Sequence, residues 1–596
     1  VEVIKTKFIA GKYKIPVTMT YDDKNRIRMS FAYNKILIEE MKAFDGARWE
    51  PDGKYWHIPN NQRNRFQLAV LQGENPYHRY DLPLVEVTPN RTLYSHQREM
   101  LAHGLTRHYC IFACEMGTGK TLAAIEIMES IPDLKNEDAW YIGPKSGVRA
   151  VDLELLKWQS KVFPRMLTYE QLTKEMKNWQ DGKKAPRVVI FDESSKIKTP
   201  TSQRSQAAMA LADGVRTDWG EQGYVILMSG TPAPKTPVDW FNQTETACPG
   251  FVKEGNIHKF RQRLAIVQER ENQLTGVKYP HLVGWRDSED RCECGLMKND
   301  PCHNLLLMGE QEVHAFKAGK NEVAYLYERM NGLVLVRFKK DCLDLPEKQY
   351  KIVKIRPTVE LLMVAKHIKN TSSRAIEVLT LLRELSDGFQ YTEIETGETI
   401  ACPRCKGTCK VMIPVPKEQV DYTQITRDIN ETQFEMQEMV CDNCSGIGQV
   451  QTYKRSMDEV PCPKDDQLKM DLDEHEECGR LIVWGGFTGT IDRICKIAMS
   501  EGWAVLRVDG RGYCGLDAEG KPIDDRECLM AMDASHPRKQ ELLDKYPKLC
   551  FVGHPKAGGM ALTLTASPTE IFFSNDFSGE GRLQAEDRFH RPGMDK

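Results

Sequence analysis

Gly117-Thr118-Gly119-Lys120-Thr121 has the composition of a loop that wraps phosphate. Its glycines let backbone N–H groups approach the anion, and a helix beginning near Leu122 adds its positive amino-terminal end. In that reading Lys120 contacts the β- and γ-phosphates of ATP, and the Thr121 hydroxyl ligates Mg2+. The strict form of such a loop has glycine six residues before the lysine, where this chain has Cys114. A glycine-rich turn ahead of an ordinary helix is the competing reading. A second stretch, Val188-Val-Ile-Phe-Asp192-Glu193, is an apolar run ending in two carboxylates. Asp192 at the end of a strand suits Mg2+, and Glu193 suits orienting and activating a water. The third stretch, Gln584-Ala-Glu-Asp-Arg588-Phe-His-Arg591, brings arginines that can reach the same phosphates from elsewhere in the chain. Hydrolysis at a site divided between two lobes converts into relative motion, so the set points to a motor rather than a simple kinase.

These residues need elements to hold them. Apolar runs at Tyr109–Ala113, Ala139–Ile142, Arg187–Phe191 and Tyr224–Met228 alternate with helical stretches, and a second set follows at Arg480–Trp484, Ala504–Val508, Leu549–Val552 and Glu570–Phe573. Such runs predict buried parallel strands, hence an α/β fold with two parallel-sheet lobes. The region between them, roughly 251–479, reads as polar and largely helical. The first 85 or so residues read as a small α+β domain with one amphipathic helix near Asn34–Phe44.

A chain of 596 residues exceeds one core and divides into about three to five domains. Basic and acidic residues number 82 and 85, so bulk charge does not call for nucleic acid; a local basic groove would have to supply it. No apolar run approaches the roughly 20 residues that span a bilayer, and Val1-Glu-Val-Ile-Lys5 is not a signal peptide, so no membrane partner is expected. With no starting Met and an end at Lys596, both termini read as trimmed. The 18 cysteines, several in C-x-x-C pairs, favour metal over disulfides and an intracellular setting.

Cys402-Pro-Arg-Cys405-Lys-Gly and Cys441-Asp-Asn-Cys444-Ser-Gly are two knuckles of nearly identical form. Each turn aims two thiolates at one centre, and together they make a four-cysteine set suited to structural zinc. Two reduced surface pairs are the alternative. The knuckles also resemble half of the cysteine-rich region of DnaJ-type chaperones. Cys292, Cys294, Cys302 and His303 form a second, less regular candidate, while Cys409, Cys462 and Cys478 read as bystanders. A set of four thiolates leaves no open metal position, so this insertion reads as a DNA- or partner-contacting knob.

The motifs in their order resemble superfamily-two helicases, and within them the Swi/Snf-type DNA translocases. Leu93-Tyr-Ser-His-Gln97 is similar to the adenine-reading glutamine motif, with Gln97 as reader. Cys114-Glu-Met-Gly-Thr-Gly-Lys-Thr121 is similar to DEMGLGKT, which itself lacks the strict glycine. Ser229-Gly-Thr-Pro232 is similar to the motif coupling hydrolysis to DNA, and Leu335–Asp341 with Asp344–Lys348 to the connector into lobe two. Ala557–Thr565, containing Gly559, is similar to AGGLGLNLT, and Gln584–Arg591 to QAxDRxHR. The resemblance covers roughly 91–250 and 330–596. It implies two RecA-like lobes with helical protrusions, ATP and Mg2+ at Gln97, Gly117, Thr118, Gly119, Lys120, Thr121, Asp192 and Gly559, and Arg588 and Arg591 as arginine fingers on the γ-phosphate. It also makes Lys145, Ser146, Ser229 and Thr231 candidate DNA contacts, although Lys145 reads equally as a solvated loop lysine. Ser195 stands where the family has histidine, Ala561 and Thr563 where it has glycine and asparagine, and the last motif reads HRPGM.

Met29–Asn34, Met41–Trp49 and Lys54–Pro59 resemble the HARP domain that accompanies annealing helicases. Arg48, Trp49, Lys54 and Trp56 mix cations with aromatics, a combination suited to phosphate contact and base stacking. Trp49 and Trp56 read equally as the core of a small domain.

The expected organisation is thus a HARP-like domain at 1–85, an ATP-binding lobe at 91–250, a helical, cysteine-containing protrusion and connector at 251–345, a second protrusion at 346–479 with the zinc insertion at about 400–446, and the second lobe at 480–596. The expected function is an ATP-dependent translocase on double-stranded or forked DNA that remodels or reanneals it, with single-strand-binding or replication proteins as candidate partners. An ATPase that displaces DNA-bound protein, and a non-catalytic nucleic-acid scaffold, are the alternatives. The architecture suggests a bacterial or bacteriophage protein acting in the host cytoplasm or nucleoid.

Overall fold

Tyr109–Cys114 is apolar throughout, as a strand covered on both faces must be, and it lies inside a six-stranded sheet. The chain is described by a computed structural model over residues 3–23, 25–44, 46–179, 182–254, 256–271, 278–298, 316–371, 375–416, 434–558, 562–575 and 579–591. The first sheet runs in the order Val334–Arg337, Tyr109–Cys114, Tyr224–Ser229, Val188–Asp192, Ala139–Gly143, Arg165–Thr168, with every pairing parallel. Ile111, Val189, Phe191 and Leu227 belong to the core on one face, and Cys110, Phe112, Ile190 and Ile226 to that on the other. Because the strands are parallel, Cys114, Gly143, Asp192 and Ser229 all end at one edge, where the chemistry-bearing loops begin. The two outer strands escape a reading by apolar runs. Each has four residues, and Arg165, Thr168 and Arg337 break their hydrophobicity.

The second sheet runs Pro522–Ile523, Gly512–Leu516, Ala504–Asp509, Leu549–Gly553, Arg480–Trp484, Glu570–Phe572. Its last four strands are parallel, and the first two form an antiparallel edge. Apolar clusters again cover both faces. The α/β architecture of two parallel-sheet lobes is therefore present.

The intervening region is not largely helical. Helices Ile257–Leu264, Glu322–Arg329, Val359–Thr371, Ala375–Ser386 and Lys464–Glu474 are joined by three antiparallel hairpins. These pair Ala265–Glu271 with Lys278–Trp285, Phe389–Ala401 with Gln449–Glu459, and Lys410–Pro416 with Phe434–Val440. β-Branched Thr399, Ile400 and Val450 supply β preference in the longest of them, where Ile400 pairs with Val450. The stretch expected as connector also returns to the first lobe, since Val334–Arg337 pairs with Tyr109–Cys114.

The amino-terminal domain is a five-stranded antiparallel sheet carrying two helices rather than one, Lys35–Ala43 and Gln62–Leu71. Asn34 and Asn61 cap them by accepting N–H bonds from Leu37 and Asn64. The polar start of the second helix hides it in the sequence. Arg63 ties this domain to the first lobe by donating to Glu254 O at 2.5 Å and pairing with Glu245 at 3.3 Å. Among the described residues no helix is long and apolar enough to cross a membrane.

Candidate nucleotide site at the lobe junction

Gly117 and Gly119 take φ of +82° and +78°, a region that side chains disfavour. A Cβ at Gly119 would lie 2.0 Å from Gln97 Nε2, and one at Gly117 would lie 3.0 Å from Lys339 Cε. Backbone shape thus favours glycine at both positions, and a side chain at either would press on the end of a neighbouring side chain. Lys120 opens the helix Lys120–Ser130, and its ammonium donates to Cys114 O at 2.7 Å and Glu115 O at 3.2 Å. Burial pushes the Lys120 pKa down, against the Cys114 thiol and the Glu193 and Asp192 carboxylates. Thr121 follows in the first turn of that helix. Thr118 donates its hydroxyl to Glu115 O at 2.8 Å, and its own carbonyl lies 2.8 Å from His96 Nε2. Gln97 spans from helix start to loop. Its Oε1 accepts the Tyr94 N–H at 3.0 Å, and its Nε2 donates to Gly119 O at 3.3 Å.

Asp192 ends its strand beside the loop, and burial pushes its carboxyl above the usual range. Glu193 adopts a left-handed conformation (φ +51°), and its N–H donates to Asp192 Oδ1 at 2.9 Å. The Ser195 hydroxyl is buried and has no hydrogen-bond partner among the described residues.

The second lobe completes the site. Gln584 Nε2 lies 3.4 Å from Glu193 Oε1. Arg588 is 7% exposed; burial and the Arg591 charge push its pKa down, while Glu193 and Asp192 oppose them. Arg591 Cγ lies 3.4 Å from the place of a Cβ on Gly117, and its Nε donates to Asp587 O at 2.8 Å. Arg588 therefore lies within electrostatic reach of the carboxylate pair, and Arg591 packs by the loop at Gly117. Lys339, inside the connector motif, was not singled out by sequence. Its ammonium donates to Asp587 Oδ1 at 2.5 Å and His590 O at 3.0 Å, and its N–H to Glu115 Oε2 at 2.7 Å. Lys348 adds a 3.2 Å contact to Asp587. The Lys339-Lys340 pair just past the strand Val334–Arg337 was the available signal.

The other sequence candidates are dispersed. Lys145 is exposed at the start of the helix Lys145–Lys157, and the Ser146 side chain and Gly559 lie outside the described residues. Ser229 is fully buried inside its turn rather than on its surface, accepting the Thr231 N–H at 3.1 Å. The Thr231 hydroxyl is buried as well. A Cβ on Gly230 would lie 2.5 Å from Met116 Cγ, so this turn packs directly on the phosphate loop. Arg48 and Lys54 are exposed on the amino-terminal domain. Trp56 is half-buried against its core, while Trp49 is 47% exposed with ring centroids 5.6 Å apart.

The sulfurs of Cys402, Cys405, Cys441 and Cys444 lie within 4.8 Å of one another, and all four residues are buried. Tetrahedral Zn–S bonds of about 2.3 Å demand S···S edges of about 3.8 Å. Cys402–Cys441 at 3.8 Å and Cys405–Cys444 at 3.6 Å meet that demand. Asn443 Nδ2 donates to Cys402 Sγ at 3.2 Å, an outer-shell bond of the kind that orients a ligand. This cluster can bind zinc. Of the second candidate set, Cys302 and His303 lie outside the described residues, and Cys292 Sγ accepts the Lys317 N–H at 3.4 Å.

Two α/β lobes, one carrying a glycine-rich loop with its acidic pair and the other an arginine-bearing turn, form a candidate nucleotide site split between lobes. The residues fit ATP with Mg2+: the glycines shape the cradle, Lys120 turns onto loop carbonyls where phosphate oxygens would replace them, and Asp192 offers a carboxylate beside it. No protein-family model matches the chain. It is similar to the human "DNA annealing helicase and endonuclease ZRANB3", 29% identical over 198 residues, covering 28% of this chain and 17% of that protein. It is also similar to the Saccharomyces cerevisiae "ISWI chromatin-remodeling complex ATPase ISW2" (33% over 78 residues, 12% and 7%) and the Candida glabrata "Helicase SWR1" (26% over 192 residues, 28% and 12%). The chain spans less than a fifth of the length of these relatives. Among solved structures, the Sulfolobus solfataricus SWI2/SNF2 ATPase core in complex with dsDNA matches at 15% identity and TM-score 0.32, over 86% of this chain and 88% of that one. The same core domain without DNA in its description matches at 16% identity and TM-score 0.31, over 86% and 85%.

Proposed function

We propose that the chain is a DNA-dependent ATPase that translocates on double-stranded DNA and remodels or reanneals forked and branched structures. One observation carries the reading: the Gln584–Glu193 contact brings an arginine-bearing turn of the second lobe onto the acidic pair of the first. Lys120 holds the β- and γ-phosphates, Asp192 and Thr121 hold Mg2+, and Glu193 orients the attacking water. Arg588 and Arg591 stabilise charge developing on the transferred phosphoryl group. They do so only when the lobes close, which ties chemistry to movement. Adenine reading by Gln97, contact to DNA by Lys145 and Ser146, and a HARP-like role for residues 1–85 with Arg48 and Lys54 belong to the same proposal, while burial of the Ser229 and Thr231 hydroxyls takes those two out of direct DNA contact. So do structural zinc at the four cysteines and an origin in bacteria or bacteriophage.

The likeness to an annealing helicase favours rewinding over strand separation. A second reading, displacement of DNA-bound protein, draws on the likeness to a chromatin-remodelling ATPase. Forked DNA with complementary arms separates them. Annealing that requires ATP, and fails with a non-hydrolysable analogue, supports the first. Absence of annealing together with ATP-dependent removal of a bound protein supports the second.

A further inference from the structure

We infer that Lys339 is a positioning residue of the nucleotide site, the group that seats the arginine-bearing turn of the second lobe on the phosphate loop. The inference rests on the ATP-hydrolysing reading above. Lys339 is only 6% exposed, and an ammonium is buried at a large cost unless it is paired and hydrogen-bonded. Two of its bonds go to the second lobe, to Asp587 Oδ1 and His590 O. Those residues directly precede Arg588 and Arg591, so one side chain grips the turn beside each arginine. The first lobe fixes the other end of Lys339, whose N–H donates to Glu115 Oε2. Its Nζ lies 3.5 Å from the place of a Cβ on Gly117, so the positive charge also faces the loop. A single residue thus bonds Glu115 at the start of the glycine-rich loop and the turn that delivers the arginines. Anionic phosphate on the loop favours this seating, because the charge between the two lobes is then matched on both sides. Lys348 also contacts Asp587, at 3.2 Å, so loss of Lys339 leaves that carboxylate paired. What is lost is position.

The test is steady-state ATP hydrolysis by the full chain, with wild type, Lys339→Met, Lys339→Arg and Asp587→Asn run together with melting curves. Misplacing a catalytic group by about 1 Å can cost about 100-fold, so Lys339→Met is expected to lower kcat by about that factor with the KM for ATP little changed. Lys339→Arg restores part of the rate. If Lys339→Met does not fold, Asp587→Asn carries the test, with the same loss confined to kcat. Wild-type kcat in Lys339→Met overturns the inference, as does a parallel fall of kcat, ATP affinity and melting temperature, which is what a merely structural residue would produce. A wild type that does not hydrolyse ATP overturns the enzyme reading and this inference with it. An active wild type with an equally active Lys339→Met overturns this inference alone.

Discussion

Gln584 Nε2 and Glu193 Oε1 lie 3.4 Å apart across the junction of the two lobes. The residue read as activating water is therefore held from both sides, by its own strand end and by the helix Gly579–Glu586 that leads into Arg588 and Arg591. Neither lobe contains the whole site.

That division sets the expected behaviour of the arginines. Arginine fingers contribute about 10^3-fold or more to phosphoryl transfer. Arg588→Ala and Arg591→Ala should each lower kcat by about that order while nucleotide binding, measured by equilibrium titration with a fluorescent ATP analogue, is largely retained. Loss of binding with an unchanged rate per bound nucleotide would place the arginines outside the chemistry.

At Gly119 φ is +78° and a Cβ would fall 2.0 Å from Gln97 Nε2, so a side chain there strains the backbone and displaces the Gln97 amide. Gly119→Ala should weaken ATP binding about 5- to 30-fold, since left-handed backbone alone costs a non-glycine residue roughly 1–2 kcal/mol. Adding Gln97→Ala should recover only the part due to overlap. Full recovery in the double variant would show that backbone shape contributes nothing.

The cysteine cluster gives a prediction independent of nucleotide. Purified protein should carry one zinc per chain by elemental analysis, and Cys402→Ser with Cys441→Ser should abolish it. Because the knuckles sit on two-stranded hairpins that join neither six-stranded sheet, the chelated protein should keep its DNA-independent ATPase rate. Zinc retained in the double variant would refute the assignment.

Glu570 offers a pH signature. Burial raises its carboxyl from 4.5 to about 7, while Trp484 Nε1 donates to it at 2.8 Å. Between those values the folded protein keeps a proton that the unfolded chain has released, so stability from this group falls as pH rises from about 4.5 to about 7 and then levels. Glu570→Gln should melt a few degrees above wild type at pH 8, with the gap closing toward pH 4.5. A gap independent of pH would point to packing rather than ionisation.

Much of the architecture was legible because central parallel strands are buried on both faces. Val188–Asp192 and Arg480–Trp484 announce themselves as apolar runs. The short strands Arg165–Thr168 and Val334–Arg337 do not, since edge positions tolerate polar residues. The hairpin pairing Phe389 with Glu459 depends on partners distant in sequence, which local periodicity cannot show. Glycines and carboxylates of the phosphate site were legible from spacing. The roles of Lys339 and Gln584 were not, because each is defined by what the opposite lobe brings to it. Ser229 illustrates the converse: its motif marks the turn, while only the structure shows the hydroxyl turned inward.

Hydrolysis at a site divided between two lobes should be driven by duplex DNA. It is tested most directly by steady-state ATP hydrolysis with and without duplex DNA, comparing wild type with Glu193→Gln. The account predicts that duplex DNA stimulates the wild type and that Glu193→Gln, which keeps its contact to Gln584, loses the stimulated rate by about 100-fold or more. A wild-type rate indifferent to DNA, or a Glu193→Gln protein that hydrolyses ATP as fast as wild type, would contradict it.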